Sequence, residues 1–448
     1  MTSVPPSPPH SFDLLIVNAI LLPDPAHPAL APDSFLAITA GSIAALGPMA
    51  SLPPPHQARR IIDAAGGLVM PGLINCHCHA AMTLFRGLAD DLPLMTWLTE
   101  HIFPAEAAWV KPEMVYWCSR LAAAELLLSG TTCVADGYFH EDAAAQAFVD
   151  AGIRAVAAQG IIDFPAPGVA DPANNIATAA SFLTRWRDAS PLLTPALFCH
   201  SPYTCGPETL RRAKALARER DDLLFIHLAE TRQEAAQIHA QHGVSPTGLL
   251  HRLGLLDNQT VCVHGVWLDE ADTALLRQSG ARLVTCPESN MKLASGTAPL
   301  PALRAAAIPV GLGTDGCASN NDLDLFQEMG ACARLHKLAG RDPAILPASA
   351  LLAMATVEGA RVLALEGKVG RLAAGMRADC IIVETAQPRL TPFYGSDTLV
   401  YAGRGSDVRT VVVEGRVVVD DRRLIGCDLQ EIMTRVREMA ARVAAARR

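Results

Sequence analysis

Between about residues 68 and 365, short apolar runs alternate with Ala- and Leu-rich stretches of helical character. Strands that alternate with helices predict a parallel sheet, because each parallel strand needs a crossover connection before the next one. Eight such units predict an α/β protein with a (β/α)8 barrel of the TIM type. The eight apolar runs are LVMPGLINC, TTCVADG, RAVAAQGII, LTPALFC, LLFIHLA, TVCVHGV, ARLVTCP and PVGLGTD.

Both ends of the chain carry short apolar runs bounded by turn-forming residues, which indicates strands. Near the C-terminus, Glu414 and Gly415 separate two Val-rich runs and predict a hairpin. Two β-rich pieces separated by a barrel predict one small β-sandwich built from both termini. The expected divisions are residues 12–67 and 368–425 for the sandwich, 68–367 for the barrel, and 428–448 for a C-terminal amphipathic helix.

Composition excludes several classes of protein. Half of the 448 residues are hydrophobic, so the chain can bury a large core, and its net charge of −8 offers no basic surface for nucleic acid. Twelve cysteines are too few for a disulfide scaffold, which favours reduced thiols and a cytoplasmic location. Residues 1–10 lack the basic start of a secretion signal, and no apolar run reaches the ~18 residues of a membrane span.

Histidines and one aspartate stand where predicted barrel strands end. His77 and His79 lie two apart, so both imidazoles can face the barrel mouth from the first strand. Alone, this pair fits two polar residues at a strand end equally well. His227, His264 and Asp315 end the fifth, sixth and eighth runs. Because active sites of such barrels lie at the carboxyl ends of the strands, the five residues are expected to converge.

Imidazole nitrogens with one carboxylate oxygen suit a catalytic divalent metal that keeps a position open for water. We predict His77, His79, His227 and Asp315 as the ligands of one ion, with Zn²⁺ favoured and Fe²⁺ as the rival. His264 could be a fifth ligand, but we favour a hydrogen bond from it to the water. The alternative is that these residues are ordinary buried or rim histidines.

Glu230 follows His227 by three residues in the sequence HLAE, far enough to turn back over the metal. A carboxylate beside an activated water can take its proton and pass it to a leaving nitrogen. We therefore predict Glu230 as the general base and acid. The competing interpretation is an acidic residue stabilised at a helix N-terminus.

Four cysteines lie close in sequence to these histidines: Cys76, Cys78, Cys199 and Cys205. Thiolates also bind zinc, so coordination by sulfur is a competing hypothesis. Cys76 and Cys78 alternate with the two histidines of the first strand. Strand alternation therefore predicts that both thiols point away from the metal, toward the helices.

Six motifs occur in order along nearly the whole chain: PGLINCHCHAAMTLFRG, FPAEA, HSPYT, HLAET, CPESNMKLASG and GTDGCASNNDLDLF. Together they resemble the amidohydrolase superfamily and, within it, the 5′-methylthioadenosine/S-adenosylhomocysteine deaminases. The resemblance implies a distorted (β/α)8 barrel, a β-sandwich from both termini and one divalent metal. It also implies a small-molecule substrate, an adenine nucleoside that is hydrolytically deaminated.

Particular roles follow from the same resemblance. It implies the four metal ligands already named, Glu230 as the proton shuttle and His264 as the residue that orients the attacking water, with Asp315 helping to activate it. It further implies that Glu106, in FPAEA, accepts the ribose hydroxyls and that His200, in HSPYT, contacts the substrate. A carboxylate can accept two hydrogen bonds from a vicinal diol, which makes the first of these chemically sensible.

Two departures from related patterns refine the expectation. The chain has no lysine between Lys111 and Lys214 and no acid in LTPALFCHSPYT, whereas superfamily members with two metals bridge them with a modified lysine or a glutamate. A single metal is therefore expected. Residues 160–163 contain no arginine for the carboxylate of a homocysteine tail, which favours methylthioadenosine or adenosine over S-adenosylhomocysteine.

Two other functions stay open at this point. One is another single-metal amidohydrolase, such as a guanine, cytosine or chloro-triazine hydrolase, and the other is a barrel that binds a ligand without catalysis. By analogy with relatives, a homo-oligomer is expected. No nucleic-acid or membrane partner is expected.

Overall fold

The computed structural model describes residues 12–52 and 58–446. The segment 1–10, on which the expectation about secretion depends, lies outside the described residues. Within the described part, no helix combines the length and apolar character needed to cross a membrane. The chain folds into a parallel barrel and a separate sheet made from its two ends.

Seventeen strands in the described residues form these two sheets. In chain order they are β1 (Phe12–Leu21), β2 (Ala31–Thr39), β3 (Ser42–Pro48), β4 (Ala58–Asp63), β5 (Leu68–Pro71), β6 (Leu73–Cys78), β7 (Thr131–Tyr138), β8 (Arg154–Ile161), β9 (Leu193–Cys199), β10 (Leu224–Leu228), β11 (Thr260–His264), β12 (Arg282–Thr285), β13 (Val310–Leu312), β14 (Cys380–Val383), β15 (Val408–Val413), β16 (Arg416–Asp420) and β17 (Arg423–Leu424).

Helices fill the connections between the barrel strands and continue after the last of these strands, and a π-helical turn spans Trp97–Ile102. They are α1 (Leu94–Thr96), α2 (Phe103–Trp109), α3 (Pro112–Leu128), α4 (Glu141–Ala151), α5 (Asn175–Trp186), α6 (Pro207–Arg220), α7 (Arg232–His242), α8 (Pro246–Arg252), α9 (Glu270–Ser279), α10 (Pro287–Lys292), α11 (Leu300–Ala305), α12 (Leu325–Gly340), α13 (Ala348–Met354), α14 (Val357–Val362), α15 (Asp397–Tyr401) and α16 (Leu429–Ala446). Helix α9 illustrates how the sequence sets the ends of a helix. Asp269 forms a capping box at its N-terminus, and Gly280 ends the helix in a left-handed conformation.

Strands β6 to β13 lie side by side in sequence order, and each pair is parallel, which confirms the predicted barrel. The first and last strands close the ring through side-chain and rim contacts. Asn75 donates to the Thr314 hydroxyl at 2.7 Å and accepts from the Thr314 N–H at 3.2 Å. Just above, the Asp315 N–H donates to the His77 carbonyl at 3.0 Å. The closure therefore ties β6 directly to the segment that carries Asp315.

The terminal strands form one nine-stranded sheet, which brings both ends of the chain together as expected. Strand β1 pairs with β2 along one edge. Along its other edge, its first part pairs with β4 and its last part with β5. Strand β14 then joins β5, which adds the C-terminal strands to the N-terminal ones. The hairpin predicted at Glu414 and Gly415 links β15 to β16.

The first predicted barrel strand, LVMPGLINC, is divided by Gly72. Its first four residues form β5 of the terminal sheet, and the barrel begins with β6 at Leu73. A Cβ atom at Gly72 would lie 2.1 Å from the Thr132 hydroxyl oxygen, so only glycine fits where the chain passes between the sheets. The single strand predicted from this run, which places residues 68–71 in the barrel, is therefore wrong at its start.

The two thiols of the first strand point in different directions. Cys76 packs with Phe198 and Phe225 in the cluster inside the barrel, whereas Cys78 joins the cluster between barrel and helices. The pairing of β6 with β7 shifts register between Asn75 and Cys78, and this irregularity breaks simple alternation. The outward orientation predicted for Cys76 is wrong, while that of Cys78 is confirmed.

Helix α16 packs on α3 through one apolar stripe, as the amphipathic pattern of the C-terminus predicts. Its buried residues are Ile432, Val436, Met439 and Val443. At the base of this helix, Arg120 of α3 donates to the sulfur of Cys427 at 3.4 Å. All twelve cysteines are free; eleven are buried and Cys427 is half-buried.

A buried ion pair fastens the barrel to the terminal sheet. Arg154, at the start of β8, donates to both carboxylate oxygens of Asp379, at 2.8 and 3.0 Å. Glu414 contacts the same guanidinium. The side chains of Arg154 and Asp379 expose only 6% and 1% of their surface. Loss of Arg154 would therefore leave the Asp379 charge unmatched inside the protein, and loss of Asp379 would leave Arg154 with Glu414 alone.

Candidate active site

The five predicted strand-end residues meet at the carboxyl rim of the barrel. His77 lies in β6 with His79 directly after it, His227 lies in β10, His264 ends β11, and Asp315 follows β13 by three residues. The chain turns sharply at this rim. His264 and Asp315 adopt left-handed backbone conformations, with φ of 75° and 63°, which non-glycine residues seldom adopt. Such conformations concentrate at functional sites.

Three imidazoles form a tight cluster. The nitrogen atoms that His77, His79 and His227 can offer as ligands all lie within 4.8 Å of one another. Burial lowers the pKa of His77 to about 4, lowers that of His79, and holds that of His227 well below its ordinary value. All three are therefore neutral near pH 7, which is the form that binds a metal.

The arrangement of atoms in this cluster fits one divalent cation. The Nε2 atom of His77 is buried without a hydrogen-bond partner. The Nδ1–H of His79 donates to the Gly137 carbonyl at 2.6 Å, which leaves its Nε2 lone pair free. These two Nε2 atoms lie 3.3 and 3.5 Å from the same Oδ1 atom of Asp315. Lone pairs facing a carboxylate oxygen at this spacing are suited to hold one metal ion.

Asp315 is held by two hydroxyl groups. Its Oδ2 atom accepts hydrogen bonds from Ser289 at 2.7 Å and Ser319 at 2.8 Å, so that Oδ1 faces the imidazoles. Burial alone would raise the pKa of Asp315, but the close approach of His77 and the charges of the neighbouring histidines hold that pKa well below the usual range. Both serines lie within motifs of the sequence, CPESNMKLASG and GTDGCASNNDLDLF, but the sequence alone predicts no role for them. The spacing of Ser319, four residues after Asp315, was the available signal.

His264 and Glu230 face each other beside the cluster. The Nδ1–H of His264 donates to the Asn290 side-chain oxygen at 3.0 Å, which directs Nε2 toward Glu230 Oε2, 3.8 Å away. Burial lowers the pKa of His264, but Glu230 and Asp315 outweigh burial and raise it above its ordinary value. Burial also raises the pKa of Glu230. The pair is thus placed to hold and move protons.

Glu234 fixes the turn that carries Glu230, and sequence reasoning missed it. The carboxylate of Glu234 accepts the N–H groups of Ala229 and Glu230, at 2.9 and 2.8 Å. Ala229 lies in the left-handed region with φ of 51°, so the chain bends directly after β10. Residue 234 resembles an ordinary helix-start acid in the sequence, and only the folded turn shows its partners.

Glu106 and His200 line the same pocket as Glu230. Glu106, in α2, is buried and accepts a hydrogen bond from the Tyr138 hydroxyl at 2.7 Å. Burial raises the pKa of Glu106 to about 7, and the Tyr138 bond offsets part of that rise. His200 bonds through Nδ1 to the Thr204 hydroxyl at 2.8 Å, and burial lowers its pKa to about 3.

The pocket spans about 740 Å³ of space, part of which is open to solvent. Its floor holds the polar groups described above, and its walls are apolar. Among the described residues that line it, none is lysine or arginine. The apolar wall consists of Met82, Leu94, Trp97, Leu98, Ile102, Phe103, Phe139, Ile161 and Leu293.

A parallel eight-stranded barrel with imidazoles, a carboxylate and a nearby Glu–His pair at its carboxyl rim defines the class of metal-dependent barrel hydrolases. The amidohydrolase family model matches residues 68–418, and the chain belongs to this family. It is 47% identical over 430 residues to the 5-methylthioadenosine/S-adenosylhomocysteine deaminase of Syntrophobacter fumaroxidans, covering 96% of this chain and 98% of the relative.

Two solved structures place the fold. A zinc-bound adenosine deaminase from Xanthomonas campestris superposes with a TM-score of 0.95 at 38% identity, covering 98% of this chain and 100% of the other. Atrazine chlorohydrolase from Arthrobacter aurescens, complexed with zinc, superposes with a TM-score of 0.88 at 22% identity, covering 95% and 100%. The second likeness shows the shared fold alone.

Proposed function

We propose that the protein is a metal-dependent hydrolase that removes the 6-amino group of an adenine nucleoside, giving the inosine-type product and ammonia. The observation that carries this proposal is that Glu106, a carboxylate suited to a ribose diol, shares one pocket with the imidazole cluster and Glu230. The Syntrophobacter relative and the Xanthomonas adenosine deaminase, both named for adenine nucleosides, support the same substrate class.

We assign His77, His79, His227 and Asp315 as the metal ligands, which rests on the free lone pairs and the Asp315 contacts described above. A divalent cation held there, Zn²⁺ or Fe²⁺, supplies a Lewis acid that makes water a competent nucleophile at neutral pH. The two serines that bind Asp315 Oδ2 keep Oδ1 aimed at the histidines. The neutral imidazoles contribute lone pairs without competing protons.

Glu230 moves the protons of the reaction. Hydrolysis adds water across the C6–N1 double bond of the purine, with oxygen on C6 and a proton on N1, and the bond from C6 to the amino nitrogen then breaks. Glu230 takes a proton from the water, delivers it to ring nitrogen N1, and passes the next proton to the departing amine. His264 Nε2 orients the water and faces the Glu230 carboxylate, because its Nδ1 is committed to Asn290. Burial raises the pKa of Glu230, which suits a group that must both accept and donate.

Glu106 and His200 hold the nucleoside. The ionised carboxylate of Glu106 accepts the two ribose hydroxyls, while the Tyr138 hydroxyl fixes its orientation at 2.7 Å. His200 offers its remaining ring nitrogen to the substrate from the end of β9. Both contacts lie away from C6, so they contribute by holding the purine in place for attack.

An absorbance screen tests the proposal. Adenosine, 5′-methylthioadenosine and S-adenosylhomocysteine are each incubated with the metal-loaded protein, and conversion of adenine to hypoxanthine absorbance is followed together with ammonia release. Turnover of at least one nucleoside is expected. Turnover of guanine, cytosine or a chloro-triazine instead would identify another amidohydrolase, and no turnover despite bound metal would favour a binding protein.

Glu230→Gln isolates the proton shuttle. The variant keeps shape and metal, and turnover is expected to fall by about 10²–10⁴-fold, the usual contribution of a general acid and base. Metal content is measured on the same preparation. Unchanged turnover with metal intact would remove Glu230 from this role. A homo-oligomeric state and a cytoplasmic location stay predictions, the second supported by twelve free thiols.

A further inference from the structure

Two buried carboxyl groups that the proposed reaction does not use interact with each other near His79. Asp136 is in β7, and Glu141 is the first residue of α4. They expose 2% and 0% of their surface. The Oδ2 atom of Asp136 and both carboxylate oxygens of Glu141 have no hydrogen-bond donor. Among the described residues, no basic side chain is a main cause of the pKa shift of either carboxyl group.

Two carboxylates this close and this deeply buried cannot both be ionised. Burial raises the pKa of Asp136 to about 7, and hydrogen bonds from the Ala80 and Gly137 amides offset part of that rise. Burial, followed by the charge of Asp136, raises the pKa of Glu141 well above its usual value. One proton therefore serves the pair and lies on Glu141. Its O–H becomes the donor that the Oδ2 atom of Asp136 otherwise lacks.

Asp136 and its neighbour Gly137 hold the backbone and the ring of His79. The Oδ1 atom of Asp136 accepts the Ala80 N–H at 2.6 Å, immediately after His79 in the chain. The Gly137 carbonyl accepts the His79 Nδ1–H at 2.6 Å. Partners of this kind set the orientation and the tautomer of metal-binding histidines.

We propose that Glu141 and Asp136 form a carboxyl–carboxylate pair that shares one proton and positions His79 as a metal ligand. Glu141 is a positioning residue that does not contact the metal and acts through Asp136 and the Ala80 amide. The inference rests on His79 binding the metal, which is part of the proposed function, and does not depend on deamination itself.

Binding of Co²⁺ tests the pair without any turnover measurement. The visible spectrum of bound Co²⁺ reports the geometry of its ligands, and a chelator competition gives the dissociation constant. Glu141→Leu and Asp136→Asn are expected to weaken Co²⁺ binding by about 10–100-fold and to change the spectrum, as losses of such partners do. Glu141→Gln, which keeps a neutral N–H donor, is expected to restore both.

Asp222→Asn is the matched control. Asp222 is a buried carboxylate paired with Arg187 at 2.5 Å, just before β10 and so at the opposite end of the barrel from the site. It is expected to lower the melting temperature while the Co²⁺ spectrum and affinity stay those of the parent. This separates loss of stability from displacement of a ligand.

Two results would overturn the proposal. In the first, Glu141→Leu and Asp136→Asn melt earlier but bind Co²⁺ as the parent does, so that the pair only stabilises the fold. In the second, Glu141→Gln binds Co²⁺ as poorly as Asp136→Asn, and this comparison decides the matter even if Glu141→Leu does not fold. A parent protein that binds Co²⁺ yet deaminates no nucleoside would refute the proposed function and leave this inference standing.

Discussion

Replacing Glu106 should separate recognition of the sugar from chemistry at the purine. Glu106→Gln keeps the volume of a residue that exposes only 4% of its surface, and it keeps an oxygen for the Tyr138 hydroxyl. What it removes is the charge on the acceptor. Charge-assisted hydrogen bonds contribute about 1.5–3 kcal/mol against about 0.5–1.5 for neutral ones, so the loss over the diol is about 1–3 kcal/mol. Since 1.4 kcal/mol is tenfold, kcat/KM should fall by roughly 5–150-fold.

The matched measurement uses 2′,3′-dideoxyadenosine, which has the same base and no diol. Parent and Glu106→Gln are compared on adenosine and on the dideoxy compound by loss of adenine absorbance. The parent should prefer adenosine, and the variant should lose that preference with little change on the dideoxy substrate. Equal losses on both substrates would show that Glu106 acts on the fold or the chemistry rather than on the ribose.

The pH profile carries a second test of the same carboxylate. Burial raises the pKa of Glu106 to about 7, so the free enzyme loses the charged acceptor as pH falls through about 7. KM for adenosine should therefore rise below that pH, while KM for the dideoxy compound stays flat. The Tyr138 hydrogen bond lowers this pKa, and Tyr138→Phe should move the rise to higher pH. A KM that is independent of pH in this range would contradict the assignment.

Three further outcomes are expected. His227→Ala should hold less than a tenth of the metal of the parent after dialysis, by elemental analysis, whereas chelated parent regains activity with added Zn²⁺; full metal content would remove His227 from the ligands. Glu234→Ala frees the amide of Glu230 and should lower kcat by about 10–100-fold with metal content unchanged, so parental kcat would refute its role. Asp379→Ala removes the main partner of Arg154 and should lower the free energy of unfolding, measured in urea, by about 3 kcal/mol. A loss of less than about 1 kcal/mol would show that this ion pair does not hold the barrel to the terminal sheet.

The barrel was predictable because parallel strands between helices leave a strong pattern of buried runs. The pattern fails where one apolar run serves two sheets. Residues 68–71 and 73–78 are both buried and apolar, and nothing in their periodicity shows that the chain changes sheets between them. The reason lies in Gly72 and its approach to Thr132, a contact made with a residue sixty positions later.

The residues of the site also fall into those that the sequence predicts and those that it does not. His77, His227 and Asp315 could be predicted because strand ends of one barrel share a rim, so position along a strand was enough. Tyr138 and Glu234 could not, because each owes its role to one partner brought near by folding. The inward turn of Cys76 was missed for a related reason. A register shift within β6 has no signature in residue type.

The distribution of thiols makes the molecule convenient to label. Maleimide and nitroxide reagents need an accessible sulfur, and eleven of the twelve cysteines are enclosed by the fold. Cys427 is half-buried, and it lies just before the start of α16. A fluorophore or spin label attached there would report when this helix leaves α3, with no need to remove the other cysteines.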